Sequence, residues 1–200
     1  VANIRYDDNE AFGGHTTWRI APAVIVPGTE TKLKGSIGTA FKAPSLSQLY
    51  VDYRPAFNFY GNPDLKPEES TGWDIGFEQP LANNKVTFGA TYFRNNITNL
   101  IETNATSTSY ENIGQVLTYG VESFVAIAFS ETLQVRADYT YTIARNLETN
   151  QELLRRPKNK VSTTFSWMPL EKLQVSATAV YLSGWVDGNR DFSISRLNAP

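Results

Sequence analysis

Two adjoining passages decide how this chain folds: Gly38-Thr-Ala-Phe-Lys-Ala-Pro-Ser-Leu-Ser-Gln-Leu-Tyr50 and Gly61-Asn-Pro-Asp-Leu-Lys-Pro-Glu-Glu-Ser-Thr-Gly-Trp-Asp-Ile-Gly-Phe77. A strand ends at Phe41, Lys42, Ala43 and Pro44, because Pro44 has no N–H and cannot continue a ladder. Asn62-Pro63 and Lys66-Pro67 stiffen the loop beyond it, since the residue before a proline is pushed toward extended geometry. Glu68, Glu69 and Ser70 lead into a second strand, where Trp73, Ile75 and Phe77 alternate with Asp74, Gly76 and Glu78. The passage therefore reads as strand, long structured loop, strand.

The same two-residue period runs outward in both directions. Upstream, Ala2, Ile4 and Tyr6 oppose Asn3, Arg5 and Asp7. Next, Thr16, Trp18, Ile20, Val24 and Val26 oppose His15, Thr17, Arg19 and Ala23. Then Leu33, Ile37, Thr39 and Phe41 oppose Lys32, Lys34, Ser36 and Gly38. Downstream, the apolar faces are Val86 to Tyr92, Tyr119 to Phe129, Leu133 to Ile143, Val161 to Trp167 and Leu173 to Tyr181, each read at every second residue. Phe124 is out of phase with its segment. A tenth, incomplete segment starts at Asp191.

Connector lengths alternate. Short turns are expected at Pro27–Glu30, Pro80–Asn84, Ser130–Thr132 and Pro169–Lys172. Longer loops are expected at Asp8–Gly14, Lys42–Ser70, Thr103–Asn112, Arg145–Asn159 and Ser183–Arg190. Short turns at one end and long loops at the other are the layout of an outer-membrane β-barrel. Tyr6, Trp18, Phe41, Trp73, Phe129 and Tyr181 fall near segment ends, as interfacial aromatics would. A soluble up-and-down β protein also alternates. Against it stand charges along most of the polar faces, which a dry core would not tolerate.

Composition narrows the function. The 10 Tyr, 11 Phe and 4 Trp suit pleated surfaces. A mean hydropathy of −0.33 is what averaging an apolar and a polar face produces. No apolar run is long enough for a transmembrane helix. A net charge of −2 gives no footprint for nucleic acid. With no cysteine and one histidine, His15, neither a thiolate nor a multi-histidine metal centre is possible. No nucleophile motif and no phosphate loop occurs, so no catalytic residue, metal or cofactor is expected. Val1 and the segment Arg196-Leu-Asn-Ala-Pro200 read as cuts, so an internal fragment is expected.

Several separated patches resemble the TonB-dependent outer-membrane receptors, in the cobalamin and ferric-siderophore branch. They are Phe41-Lys-Ala-Pro44, Gly61-Asn-Pro-Asp-Leu-Lys-Pro-Glu68, Tyr92-Phe-Arg-Asn-Asn-Ile-Thr-Asn-Leu-Ile101, Tyr110-Glu-Asn-Ile-Gly114 and Tyr119-Gly-Val-Glu122. The strand–loop–strand Ile4–Asp8 and Phe12–Trp18 is similar too. The resemblance implies an all-β fold, an antiparallel transmembrane barrel of about 22 strands, of which residues 1–200 form about ten. It further implies a plug domain and final strands outside this chain, a TonB complex acting through that plug, and active uptake of a siderophore or cobalamin. The motif residues it carries over are Phe41, Lys42, Ala43, Pro44, Gly61, Asn62, Pro63, Leu65, Lys66, Pro67 and Glu68. They would form either a lid over the pore or a clasp docked on neighbouring loops. A passive plugless channel is the competing reading, ahead of a soluble binding protein or an outer-membrane enzyme.

Between the two motifs lies an aromatic loop. Tyr50, Tyr53, Phe57 and Tyr60 could stack on or hydrogen-bond a large ligand, with Asp52 beside Arg54. Arg54 is expected to pair with a carboxylate or an anionic chelate. Arg145, Arg155, Arg156, Lys158 and Lys160 read as a solvated basic patch beside lipopolysaccharide and outer-membrane lipid. Asp7, Asp8 and Glu10 lack the spacing of a calcium loop. Arg5, Arg19, Lys32, Lys34, Asp74, Glu78, Glu122, Arg136 and Asp138 are expected to face a wet lumen and the plug, bridging one another.

Overall fold

The computed structural model describes residues 1–9, 12–188 and 194–197. One antiparallel sheet holds ten strands: β1 (Ala2–Asn9), β2 (Gly13–Ile20), β3 (Ala23–Ile25), β4 (Lys32–Lys42), β5 (Glu68–Leu81), β6 (Val86–Thr103), β7 (Tyr110–Ala128), β8 (Leu133–Asn146), β9 (Asn159–Leu170) and β10 (Leu173–Leu182). Two short helices, α1 (Leu46–Tyr50) and α2 (Arg54–Phe57), interrupt the loop between β4 and β5. A separate pair, β11 (Trp185–Gly188) and β12 (Ile194–Leu197), stands beyond β10.

Neighbours in sequence are neighbours in the sheet, so the chain is an up-and-down meander with β1 and β10 at its two edges. β2 and β3 both pair with β4 in one register, Ile20 facing Ile37 and Ala23 facing Lys34. They are one strand broken at Ala21-Pro22, where proline removes a donor, although its carbonyl still accepts from the Gly35 N–H at 3.2 Å.

Register fixes the faces, because directly opposed residues point to the same side. Leu33 faces Phe77 and Phe77 faces Ala90; Tyr92 faces Val121, which faces Tyr141. Tyr139 faces Val161, which faces Tyr181. The alternating apolar positions thus merge into one wall. It is uncovered: Ile75, Val24 and Tyr181 are 62%, 60% and 59% exposed. A wall of this extent is incompatible with water and fits hydrocarbon. The opposite face carries charge and neutralises most of it. Glu78 pairs with Lys34 at 2.6 Å and Lys32 at 3.6 Å, Arg136 with Asp138, and Arg5 with Asp7; Arg19 donates to Ser36, which meets Asp74.

Several boundaries depart from the sequence expectation. β6 and β7 run to 18 and 19 residues, well past the roughly 9–11 that span a bilayer. Their upper parts turn polar, and β7 already begins at Tyr110, which leaves only residues 104–109 as connection. β5 begins at Glu68, so Trp73 is inside it and not at its end. Pro80 lies in β5 opposite Thr87, beyond the last β4–β5 pair, Lys32–Glu78, where one-sided pairing tolerates a proline. The turn itself is made by Ala82, Asn83 and Asn84, all left-handed with φ of 52°, 55° and 66°. The expected loop after Ser183 contains β11. Of the incomplete tenth segment, Ile194–Leu197 is a strand, while residues 191–193 lie outside the described residues, as does Glu10.

Candidate functional site: the cavity of the β4–β5 loop

The β4–β5 connection is a folded unit. Ser45 caps α1: its Oγ accepts from the Gln48 N–H at 3.2 Å, and the Gln48 side chain accepts from the Ser45 N–H at 2.9 Å. That orientation buries Leu49, 4% exposed, against Leu65 and Ile101, with Phe12 and Tyr110 partly buried around them. Gly61 crosses α1 so closely that a Cβ there would stand 2.5 Å from the Leu49 carbonyl carbon. Glycine is needed for that approach.

Polar contacts then fasten the motif to the β6–β7 hairpin. The Asn62 N–H donates to the Gln48 carbonyl at 2.8 Å, and its Nδ2 donates to the Tyr110 carbonyl at 3.0 Å. Asn112 accepts from the Lys66 N–H at 2.8 Å, and its Nδ2 donates to the Lys66 and Asn99 carbonyls at 2.9 and 2.7 Å. Glu68 accepts from Lys42 at 2.7 Å and from the Ile101 N–H at 3.3 Å. Pro44 is buried. Of the two readings open to the motif, the clasp is the one these contacts describe.

The clasp leaves an open cavity of ≈ 680 Å³ at the long-loop end. Tyr50, Asp52, Arg54 and Tyr60 line it, together with Asn104, Ser109, Tyr110 and Glu111 from the β6–β7 hairpin. Tyr53 and Phe57 lie outside it, 55% and 78% exposed. The hairpin residues were missed by sequence reasoning, because they are about fifty positions away and joined only by tertiary pairing. The Tyr110-Glu-Asn-Ile-Gly114 patch was the signal that could have pointed to them. The Tyr60 N–H donates to the Thr108 carbonyl at 2.9 Å, and Tyr60 bridges Ser109 in parallel.

Arg54 does not stand free, as an anion-binding role requires. Its Nε and backbone N–H donate to Asp52 Oδ1 at 2.9 and 3.1 Å, and its Nη2 bonds the other carboxylate oxygen. The guanidinium carbon is 5.6 Å from the Tyr60 ring centroid. These bonds pull the Asp52 carboxyl down to about 2 and raise Arg54 above its ordinary value. With Asp64 and Glu111 also on the wall, the cavity offers phenols, hydroxyls, amides and carboxylates, not an available cation.

The expected basic patch is divided. Arg155 pairs with Asp187 at 2.9 Å and Lys158 pairs with Glu152, while Lys160 sits on the charged face of β9 and Arg145 on the apolar side of β8. A second cavity of ≈ 330 Å³ opens where β2 and β4 part. There His15 stacks on Phe41 at 3.8 Å and its Nδ1 lies 3.5 Å from Glu69. Among the described residues no cluster of ligating side chains could hold a metal, and no helix is long and apolar enough to cross a membrane, which says nothing of a β-barrel.

Solved structures repeat this architecture. The siderophore receptor PirA of Pseudomonas aeruginosa superposes with a TM-score of 0.71 at 23% identity, over 92% of this chain and 34% of its own. PirA of Acinetobacter baumannii does so with 0.72 at 21% identity, over 98% and 31%. The copper transporter OprC gives 0.64 at 17% identity, over 86% and 26%. The chain thus spans about a third of the length of the structures it matches, and at these identities the likeness is one of fold. A sequence model of the family described as TonB dependent receptor-like, beta-barrel matches residues 1–198, and the chain belongs to the TonB-dependent receptors as part of their barrel wall.

Proposed function

We propose that this wall belongs to an outer-membrane transporter that actively takes up a scarce, large nutrient, a ferric siderophore or cobalamin. The observation that carries the reading is the cavity at the long-loop end, held open by a clasp on the wall of a TonB-dependent receptor barrel. In this reading the apolar wall meets outer-membrane lipid and the charged face meets the receptor's own plug. The TonB complex supplies energy through that plug. Tyr50, Tyr60 and Tyr110 offer rings and phenols to a ligand, and Asn104 and Ser109 border the same space. The tied Asp52–Arg54 pair makes shape and hydrogen bonding the selective elements, with net charge secondary. No step of bond chemistry is required of any residue.

The test is uptake of radiolabelled ferric siderophores and cobalamin by cells carrying the full-length receptor, with and without TonB. Uptake of one of them that vanishes without TonB is the expected result. Uptake that persists without TonB means a passive channel and sinks the proposal. Tyr60→Ala should weaken binding of the transported ligand about three- to tenfold, the value of one lost aromatic contact.

A further inference from the structure

Two arginines stand on the lipid side of the wall. On β6 the outward series runs from Val86 through Phe88, Ala90 and Tyr92 to Arg94; on β8 it runs from Leu133 to Ile143 and then Arg145. Each is the first charge on the outward face of its strand when ascending from the short turns; Arg136 and Asp138, lower on β8, lie on the opposite face. Arg94 faces Trp73 on one side and Tyr119 on the other. Arg145 faces Leu117, one residue pair nearer the loops. Two strand spacings and one pair of residues put their Cα atoms about 12 Å apart, within joint reach of one group lying over Leu117 and Tyr119.

Both are half-buried. Arg5, Arg54, Arg136 and Arg155 each hold an aspartate. Among the described residues, neither Arg94 nor Arg145 forms a side-chain ion pair or hydrogen bond, and the carboxylate of Glu152, whose backbone bridges Arg145, is held by Lys158. A partly desolvated guanidinium with no anion is costly. At the upper rim of an apolar wall, beside Trp73 and Tyr119, the anion at hand is the phosphate of a lipid. The guanidinium fork fits phosphate oxygens in pairs.

We propose that Arg94 and Arg145 clamp the phosphate of an outer-leaflet lipid whose acyl chains lie along the wall of β6, β7 and β8. The clamp rests on the membrane placement of the wall and not on which nutrient is carried.

The probe is lipid A, phosphorylated or enzymatically dephosphorylated, added to the delipidated full-length receptor in detergent and followed by native mass spectrometry. The parent should retain the phosphorylated form preferentially. R94Q/R145Q should lower that retention about thirtyfold, from roughly one contact's worth of attraction per arginine. R94K/R145K should keep part of it, and Lys172→Gln, in the short turn, all of it. Excess inorganic phosphate should not release the lipid; if it does, the site is one for free phosphate and the proposal falls. It also falls if the glutamine double variant holds phosphorylated lipid as the parent does, or if the parent holds both lipids equally. The last comparison needs no variant, so a misfolded variant does not protect the idea. Uptake measured in parallel separates the two proposals, because a receptor that transports nothing can still hold the lipid.

Discussion

Arg136 places its guanidinium carbon 4.2 Å from the centroid of the Phe124 ring. Phe124 is the residue that breaks the alternation of β7, an aromatic on the charged face, opposite Gly89 on β6 and Asp138 on β8. A Cβ at Gly89 would stand 2.8 Å from the ring, so the glycine leaves room and the phenyl covers it. Arg136, anchored by Asp138, covers the phenyl in turn. Aromatic cover of a cross-strand glycine is a known device for pinning register.

The pairing predicts a measurable coupling. Phe124→Ala should lower the unfolding free energy of the barrel by about 1 kcal/mol. A double-mutant cycle with Arg136→Gln should return about 0.5–1 kcal/mol of interaction energy, the range of a partly exposed cation–π contact. Additive losses would mean that the stacking contributes nothing.

The face assignment makes a second prediction. Phe77 lies between Leu33 and Ala90 on the apolar wall, its ring edge-on to Phe88 at 5.9 Å. Phe77→Arg should cost roughly 2–4 kcal/mol if this level is near the bilayer midplane. Asp74, three residues earlier on the wet face, should tolerate arginine at far lower cost. Refolding into lipid vesicles measures both, and equal penalties would refute the orientation of the sheet.

Strand existence and facing were legible in the sequence because a two-residue period survives any register that keeps like faces together. Trp73, Ile75 and Phe77 needed no partner to be read correctly. Strand ends were less legible. Above Tyr92 the outward residues of β6 become Arg94, Asn96 and Thr98, so the hydrophobic signal stops while the ladder continues to Thr103. Pairing, not patterning, sets that length. The loop motif was visible as prolines and a glycine, but whether it docks depended on Asn112 and Ile101 reaching it from β7 and β6. Sequence proximity put Asp52 beside Arg54 but left open whether Arg54 would take a carboxylate of the chain or an anionic chelate, and only the loop geometry ties it to Asp52. Phe124 had no explanation until Gly89 was opposite it.

The clasp should yield to a single deletion. Asn112→Ala removes three hydrogen bonds to Lys66 and Asn99 backbone groups. At about 1 kcal/mol each, loop opening should rise thirtyfold or more. Limited proteolysis should then cut within residues 46–67 while the barrel keeps its heat-resistant mobility on gels. Tyr53→Ala, an exposed position outside the cavity, is the control. Unchanged cleavage of the Asn112 variant would leave the clasp without energetic support.

Acid should open the cavity wall at a defined point. Arg54 holds the Asp52 carboxyl at about 2, below its ordinary 3.8, through its side chain first and its backbone N–H second. A depressed folded value means that the pair's contribution is complete above pH 3.8 and is lost as pH falls through about 2. Both groups are exposed, so the effect is modest and weakens with salt. Pepsin, which works in this range, should cleave between Tyr50 and Tyr60 faster as pH drops from 4 toward 2. Asp52→Asn lacks the titrating carboxylate and should be cleaved readily throughout, with a flat profile. If the variant keeps the parent's pH dependence, another group governs the loop, and Arg54 is free of Asp52 in solution.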